Sequence, residues 1–177
     1  MSKVRLATVW LDGCSGCHMS LLDMDERLIA VTELADIVYS PLVDIKEFPA
    51  NVDVTVVEGS VSNEEDLEKI HKIRKNTRIL VSLGDCAVTG NIPSMRDLFP
   101  VSEILDRVYI ENASLNKQVP KKNVPKLLPR VVPVHEVVKV DVFVPGCPPT
   151  ADTIFNVILE LVEGRAPEAA MATRFGV

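Results

Sequence analysis

The chain has 177 residues, of which 47% are hydrophobic and 25% charged, and its formal net charge is −6. This composition predicts a single globular domain over residues 1–177, and the acidic charge argues against nucleic acid or an anionic membrane as the main partner. No apolar run approaches the roughly 20 residues of a membrane-spanning helix. The first residues hold no apolar signal segment, so we expect a cytoplasmic protein whose thiols stay reduced.

Short runs rich in valine, isoleucine and leucine alternate with helical patterns along the chain. Such runs are typical of strands buried on both faces of a parallel sheet, and they predict strands at 4–11, 36–39, 52–57, 78–83 and 140–144. Helical periodicity predicts helices at 17–33, at 62–76 after a capping-box pattern that opens at Ser62, and from Thr150 to near Gly164. The alternation predicts an α/β fold with a doubly wound parallel sheet.

The stretch 112–135 interrupts this alternation with four prolines and five basic residues in an acidic chain. We predict an irregular excursion there, because prolines at this density prevent regular structure. Two interpretations remain open, a solvated surface loop or a docking surface for another subunit. In the second, a partner chain contacts Lys121, Lys122, Lys126 and Arg130. Residues 167–177 are predicted to form a surface tail.

All four cysteines of the chain follow predicted strands. Cys14 and Cys17 follow the first strand, Cys86 follows the strand that ends at Leu83, and Cys147 follows the last strand. The carboxyl ends of parallel strands meet at one edge of a sheet, where open α/β sheets bind ligands. We therefore expect the four thiols to lie together, and four thiolates are the ligand set of a [4Fe–4S] cluster.

Other uses of the cysteines stay open. A redox dithiol formed by Cys14 and Cys17 would leave Cys86 and Cys147 without a role. A structural zinc site usually combines two closely spaced pairs, whereas Cys86 and Cys147 stand alone, far apart in the sequence. The pattern favours an iron–sulfur cluster over zinc and over inert structural thiols.

Residues beside the cysteines are candidates for supporting a cluster. Gly13, Gly84 and Gly146 allow the backbone to approach closely and are predicted to direct N–H groups toward cluster sulfurs. Glu58 ends a strand at the same edge, where its carboxylate either lies near the anionic cluster or caps a neighbouring helix. Next to a complete set of thiols, His18 is expected to donate a hydrogen bond or to lie at an interface rather than to ligate metal.

The cysteine motifs support a resemblance to a known family. Their order matches that of [NiFe]-hydrogenase small subunits, through Cys14-Ser15-Gly16-Cys17, Val57-Glu58-Gly59-Ser60, Gly84-Asp85-Cys86-Ala87 and Pro145-Gly146-Cys147-Pro148-Pro149. The homologous cluster-bearing subunit of respiratory complex I carries two adjacent cysteines at the first motif, and this chain differs from it in the hydrogenase direction. Two longer stretches, 14–23 and 131–138, resemble the small subunit of soluble NAD-reducing hydrogenases.

The resemblance implies a flavodoxin-like fold in which the four cysteines hold one proximal [4Fe–4S] cluster, with no catalytic residue on this chain. It implies a large subunit that carries the Ni–Fe centre, and diaphorase subunits that carry FMN, further iron–sulfur clusters and the NAD site. The chain would then relay electrons from the Ni–Fe site toward NAD. The alternatives are NADP or a ferredoxin as acceptor, and a non-catalytic zinc module with a structural or assembly role.

Overall fold

The computed structural model describes residues 3–167. Within them the strands are β1 (Val4–Trp10), β2 (Ala35–Tyr39), β3 (Val52–Glu58), β4 (Val61–Asn63), β5 (Thr77–Leu83), β6 (Leu127–Val132) and β7 (Val142–Val144). The main sheet is parallel and has the order β2-β1-β3-β5-β7, while β4 and β6 form a small antiparallel sheet. Without these two strands the order is the 2-1-3-4-5 of flavodoxin-like folds, so the predicted fold class is confirmed.

Helices cover both faces of the main sheet. They are α1 (Gly16–Leu22), α2 (Arg27–Leu34), α3 (Glu64–Asn76), α4 (Gly84–Thr89), α5 (Asn91–Ser94), α6 (Val101–Asp106), α7 (Val134–Val137) and α8 (Ala151–Val162). A 3₁₀ turn, Met95–Leu98, follows α5, and a π-helical turn, Arg107–Glu111, follows α6.

The core consists of two apolar clusters, one on each face of the sheet. Val54 and Val56 of β3 pack in one cluster with Ile154 of α8, while Val57 packs in the other with Ile70 of α3. Successive strand residues point to opposite faces, so a strand buried on both faces must be apolar at nearly every position. This is why β3 is a continuous apolar run.

Two of the three predicted helices differ from their predictions, and α4, α5, α6 and α7 were not predicted. The predicted helix at 17–33 is two helices, because Asp25 takes a left-handed conformation with φ +50° and the chain turns there, burying Met24. The helix predicted from 62 begins at Glu64, and its N-cap is Asn63, whose side chain accepts from the Asp66 N–H. The C-terminal helix agrees with its prediction, with Thr150 as N-cap.

The excursion 112–135 is more regular than predicted. Residues 112–126 have no helix or strand, but β6 and α7 follow them. The 3₁₀ turn holds β6 in place, since Arg96 donates to carbonyls of β4 and β6 at 3.0 Å and Asp97 accepts from the Val131 N–H. Such long-range partners leave no local sequence signal. Of the predicted tail, only Pro167 belongs to the described residues.

Across residues 3–167, every helix is too short or too polar to cross a lipid bilayer.

Candidate metal centre at the carboxyl edge of the sheet

The four cysteines lie at the carboxyl edge of the main sheet, as the sequence predicts. Cys14 and Cys17 follow β1, Cys86 follows β5 and Cys147 follows β7. Cys14 and Cys147 are exposed, whereas Cys17 and Cys86 are half-buried, and none forms a disulfide. Cys17 Sγ lies against Gly84 of the Cys86 loop, and Asp85 of that loop is hydrogen-bonded to Gly146 beside Cys147, so the loops that carry the cysteines meet at one site.

Hydrogen bonds join the loops after β1 and β3. The backbones of Asp12 and Ser60 exchange two hydrogen bonds, of 3.1 and 2.7 Å. Gly59 makes this contact possible, because its φ is +87° and a Cβ there would lie 2.8 Å from the Asp12 carbonyl oxygen. The cysteine loop after β1 is therefore fixed to the end of β3.

A second set of hydrogen bonds joins the loops that carry Cys86 and Cys147. The Asp85 N–H donates to the Gly146 carbonyl at 2.8 Å, and the Gly146 N–H donates to the Asp85 carboxylate at 2.7 Å. Ser20 of α1 donates to the Pro149 carbonyl at 2.6 Å. These hydrogen bonds connect loops that carry cysteines far apart in the sequence.

Gly84 leaves room for the Cys17 thiol beside the backbone. A Cβ on this residue would lie 2.2 Å from Cys17 Sγ, and its φ of +80° is unfavourable for any other residue. The site therefore contains a cradle at Gly84 that the Cys17 thiol occupies and that a side chain on residue 84 would fill. A donor set of four thiols around this cradle fits a [4Fe–4S] cluster.

The spacing of the donors also bears on zinc. A single zinc ion binds thiolates at about 2.3 Å and needs its ligands gathered around one point. Among residues 3–167, no three histidine, cysteine, aspartate or glutamate side chains are gathered in this way. A [4Fe–4S] cluster attaches each thiolate to a different iron atom, so its ligands need not gather around a single ion.

The other glycines near the cysteines make different contacts. Gly13 lies in ordinary contact with Cys86, its virtual Cβ being 3.9 Å from Cys86 Cβ, while Gly16 lies close to Cys14 Sγ. The sequence predicts that Gly146 directs its N–H at a cluster sulfur, and this is wrong, because Asp85 accepts that N–H. Gly146 instead fixes the distance between the two loops.

The inner thiols are in an environment that opposes their ionisation. Burial raises the pKa of Cys17 far above its usual range, and the charges of Glu58 and the other three cysteines raise it further. Burial also raises the pKa of Cys86, although a hydrogen bond from the Ile92 backbone N–H opposes the rise. Without a cation these thiols stay protonated, and four thiolates here would need a cationic partner such as iron ions.

Glu58 and His18 form a buried pair beside Cys17, each with a side chain only 3% exposed. The Glu58 carboxylate accepts from the His18 backbone N–H at 2.5 Å and lies 2.7 Å from His18 Nδ1. Glu58 therefore caps the start of α1, as one sequence interpretation expected, and its charge also raises the pKa of the Cys17 thiol. His18 Nε2 is buried without a hydrogen-bond partner among the described residues, and the Trp10 ring packs edge-on against the imidazole.

Sequence reasoning missed two groups at the site, Asp85 and the turn at Gly90–Ile92. Asp85 belongs to the motif Gly84-Asp85-Cys86-Ala87, but its role depends on Gly146, a residue of another loop. In the turn, Asn91 Nδ2 lies 3.4 Å from Cys147 Sγ. A glycine followed by asparagine is a turn signal, so the sequence could have indicated the turn. It could not have indicated that the asparagine contacts the sulfur of Cys147.

A family model described as NADH ubiquinone oxidoreductase, 20 Kd subunit, matches residues 14–161 of this chain, a range that contains every cysteine. The chain belongs to this family.

Relatives within the family are hydrogenase subunits. The chain is 44% identical over 168 residues to the delta subunit of the NAD-reducing hydrogenase HoxS of Cupriavidus necator, covering 92% of this chain and 80% of that protein. It is 40% identical over 167 residues to a subunit of the F420-non-reducing hydrogenase vhu of Methanocaldococcus jannaschii, covering 93% of this chain but 58% of that protein.

A solved structure agrees with these relatives. A chain in the crystal structure of an NAD⁺-reducing [NiFe]-hydrogenase in the H2-reduced state matches with a TM-score of 0.92 and 39% identity, covering 98% of this chain and 99% of that chain. A [NiFeSe]-hydrogenase of Dm. baculatum, at 18% identity and a TM-score of 0.57, shares the fold. The prediction of a hydrogenase small subunit, part of an oxidoreductase complex, is confirmed.

Proposed function

We propose that this chain is the electron-transfer small subunit of a hydrogenase complex and holds one [4Fe–4S] cluster through Cys14, Cys17, Cys86 and Cys147. The observation that carries the proposal is the cradle at Gly84, which three cysteine loops surround at one edge of the sheet. One-electron transfer is the chemistry that the cluster supplies when bound.

The residues of this chain bind and position the cluster. The four thiolates bind it, and the hydrogen bonds of Asp12, Asp85 and Ser20 hold the loops in place. The half-buried surroundings of Cys17 and Cys86 exclude water from the inner side, which strengthens electrostatic interactions there. Glu58 holds the first turn of α1, and Gly13, Gly84 and Gly146 allow the loops to approach closely.

The partners that we propose follow from the relatives. The Ni–Fe centre belongs to a large subunit that covers the cysteine edge, because a cluster that exchanges electrons must lie close to its donor. Diaphorase subunits with FMN, further clusters and an NAD site accept the electrons, as the relative's name, NAD-reducing hydrogenase, suggests. We expect the complex to be cytoplasmic.

The alternative to NAD as acceptor is NADP or a ferredoxin. Relatives of similar identity are subunits of F420-non-reducing hydrogenases, so chains of this type occur in more than one kind of hydrogenase. The co-purifying chains would distinguish the acceptors. A zinc-binding structural or assembly module is the other alternative.

The relay can be tested with Cys17→Ser in the assembled complex, because this change removes a cluster ligand. We expect H2-driven NAD reduction to stop, while NADH-driven dye reduction by the diaphorase stays largely intact. Asn51→Gly, a change at the opposite edge of the sheet, is the control and should alter neither activity. If both activities fell together in a complex that gel filtration shows to be assembled, the relay assignment would be wrong.

A further inference from the structure

The turn between α4 and α5 directs an N–H donor at a cysteine sulfur. The side-chain amide of Asn91 donates from Nδ2 to Cys147 Sγ at 3.4 Å. Asn91 follows the helix that carries Cys86, so the turn joins the loops of two cysteines, those that follow β5 and β7.

The backbone holds this turn in one conformation. Gly90 and Asn91 both have positive φ, +85° and +29°, and asparagine tolerates this region better than most residues. The Gly90 N–H donates to the Cys86 carbonyl at 3.0 Å, and Ser94 Oγ donates to the Asn91 carbonyl at 2.7 Å. The Asn91 amide is thus presented to Cys147 from a backbone that is fixed on both sides.

A donor to a ligating sulfur affects the two redox states unequally. Reduction adds negative charge to a cluster, part of which resides on its sulfurs, and an N–H donor stabilises that charge. Hydrogen bonds to the sulfurs are one of the means by which a protein sets a cluster's reduction potential. The Asn91 donor belongs to a side chain, so a substitution removes it.

We propose that Asn91 is a positioning residue that raises the reduction potential of the cluster by donating a hydrogen bond from its side-chain amide to Cys147 Sγ. This inference rests on the proposed function, because it requires a [4Fe–4S] cluster at the four cysteines. The amide acts through the cysteine sulfur and takes no part in a bond-making step.

The experiment is a redox titration, followed by EPR, of the anaerobically purified complex in wild-type and variant forms. Asn91→Gly tolerates the positive φ and removes the donor. We expect its reduced-to-oxidised ratio at the wild-type midpoint to fall about tenfold, which for a one-electron couple is a shift of about 59 mV to more negative potential. Asn91→Asp replaces the amide by a carboxylate of the same shape, and the added negative charge should lower the potential further.

Asn51→Gly is the matched control. Asn51 is exposed and also has a positive φ, +57°, but it precedes β3 at the opposite edge of the sheet, so this change should leave the potential unaltered. Iron content should be unchanged in all three variants.

Two results would overturn the proposal. One is a potential within error of the wild type in both Asn91 variants with the cluster intact. The other is loss of iron from both, which would make Asn91 a residue that retains the cluster rather than tunes it. Failure of the proposed function is a different result, since the wild-type protein would then contain no cluster to titrate.

Discussion

The site has an inner side, formed by Cys17, Cys86, Gly84 and Glu58, and an outer side, formed by Cys14 and Cys147. The inner thiols are half-buried and raised in pKa, while the outer thiols are exposed. On the inner side, residues of this chain therefore shield the thiols from solvent. We propose that a partner subunit completes the outer side, which explains how one small domain can both hold a cluster and exchange electrons through it.

Gly84→Ala should have the largest effect on the inner side of the site. The new Cβ would lie 2.2 Å from Cys17 Sγ, so the thiol must move and most of the iron should be lost. Gly164→Ala is the matched control, because Gly164 has a nearly equal φ of +78° but nothing within 4 Å of its virtual Cβ. Both variants should lose about 1 kcal/mol of stability from the left-handed backbone. Iron analysis distinguishes the two variants. Equal iron content in both would contradict the inference that Gly84 leaves the room that the Cys17 thiol needs.

Glu58→Ala should weaken the inner side by a smaller amount. It leaves the His18 backbone N–H and ring nitrogen without their acceptor in a buried place, which should cost about 2 kcal/mol of unfolding free energy. Glu58→Gln keeps an acceptor oxygen and should cost less. Denaturant unfolding under anaerobic conditions measures both. The exposed Glu68→Ala serves as control, and a Glu58→Ala loss no larger than that of the control would show that the pair is not structural.

The smallest effect is expected at the basic residues of the excursion. Lys121, Lys122, Lys126 and Arg130 are all exposed, and Lys126 already pairs with Glu64 at 3.1 Å. If a partner chain contacts this stretch, reversing the four charges should weaken subunit association several-fold at low salt. The difference should shrink at about 1 M salt, where the Debye length is about 3 Å.

The control for this charge reversal uses two exposed lysines elsewhere, Lys75 and Lys139, changed to glutamate. Association can be measured by titrating the variant chain into its partner subunits at several salt concentrations. If the fourfold variant binds as tightly as the control at every salt concentration, the stretch is a solvated loop, and docking involves the cysteine edge alone.

The sequence predicts the main sheet better than it predicts the region between residues 84 and 132. The apolar runs of β1, β3 and β5 report burial on both faces, so the strands and the position of the cysteines at their carboxyl ends follow directly. By contrast, β6 depends on Arg96 and Asp97, which contact it across a sequence separation of more than 30 residues. Local patterns do not report such contacts.

The same distinction applies within the site. The position of the four cysteines at one edge of the sheet could be predicted, because each cysteine follows a strand whose own residues indicate it. The hydrogen bond between Asp85 and Gly146, and that between Asn91 and Cys147, join loops 61 and 56 residues apart. They depend on how the loops pack, so only the structure reveals them.

The most direct test of the account is analysis of iron, inorganic sulfide and zinc in the anaerobically purified protein, combined with Mössbauer spectroscopy. The account predicts about four iron and about four sulfide per site, with the spectrum of a [4Fe–4S] cluster, all of which should be lost when the four cysteines are changed to serine. One equivalent of zinc per chain, with negligible iron and sulfide, would contradict it.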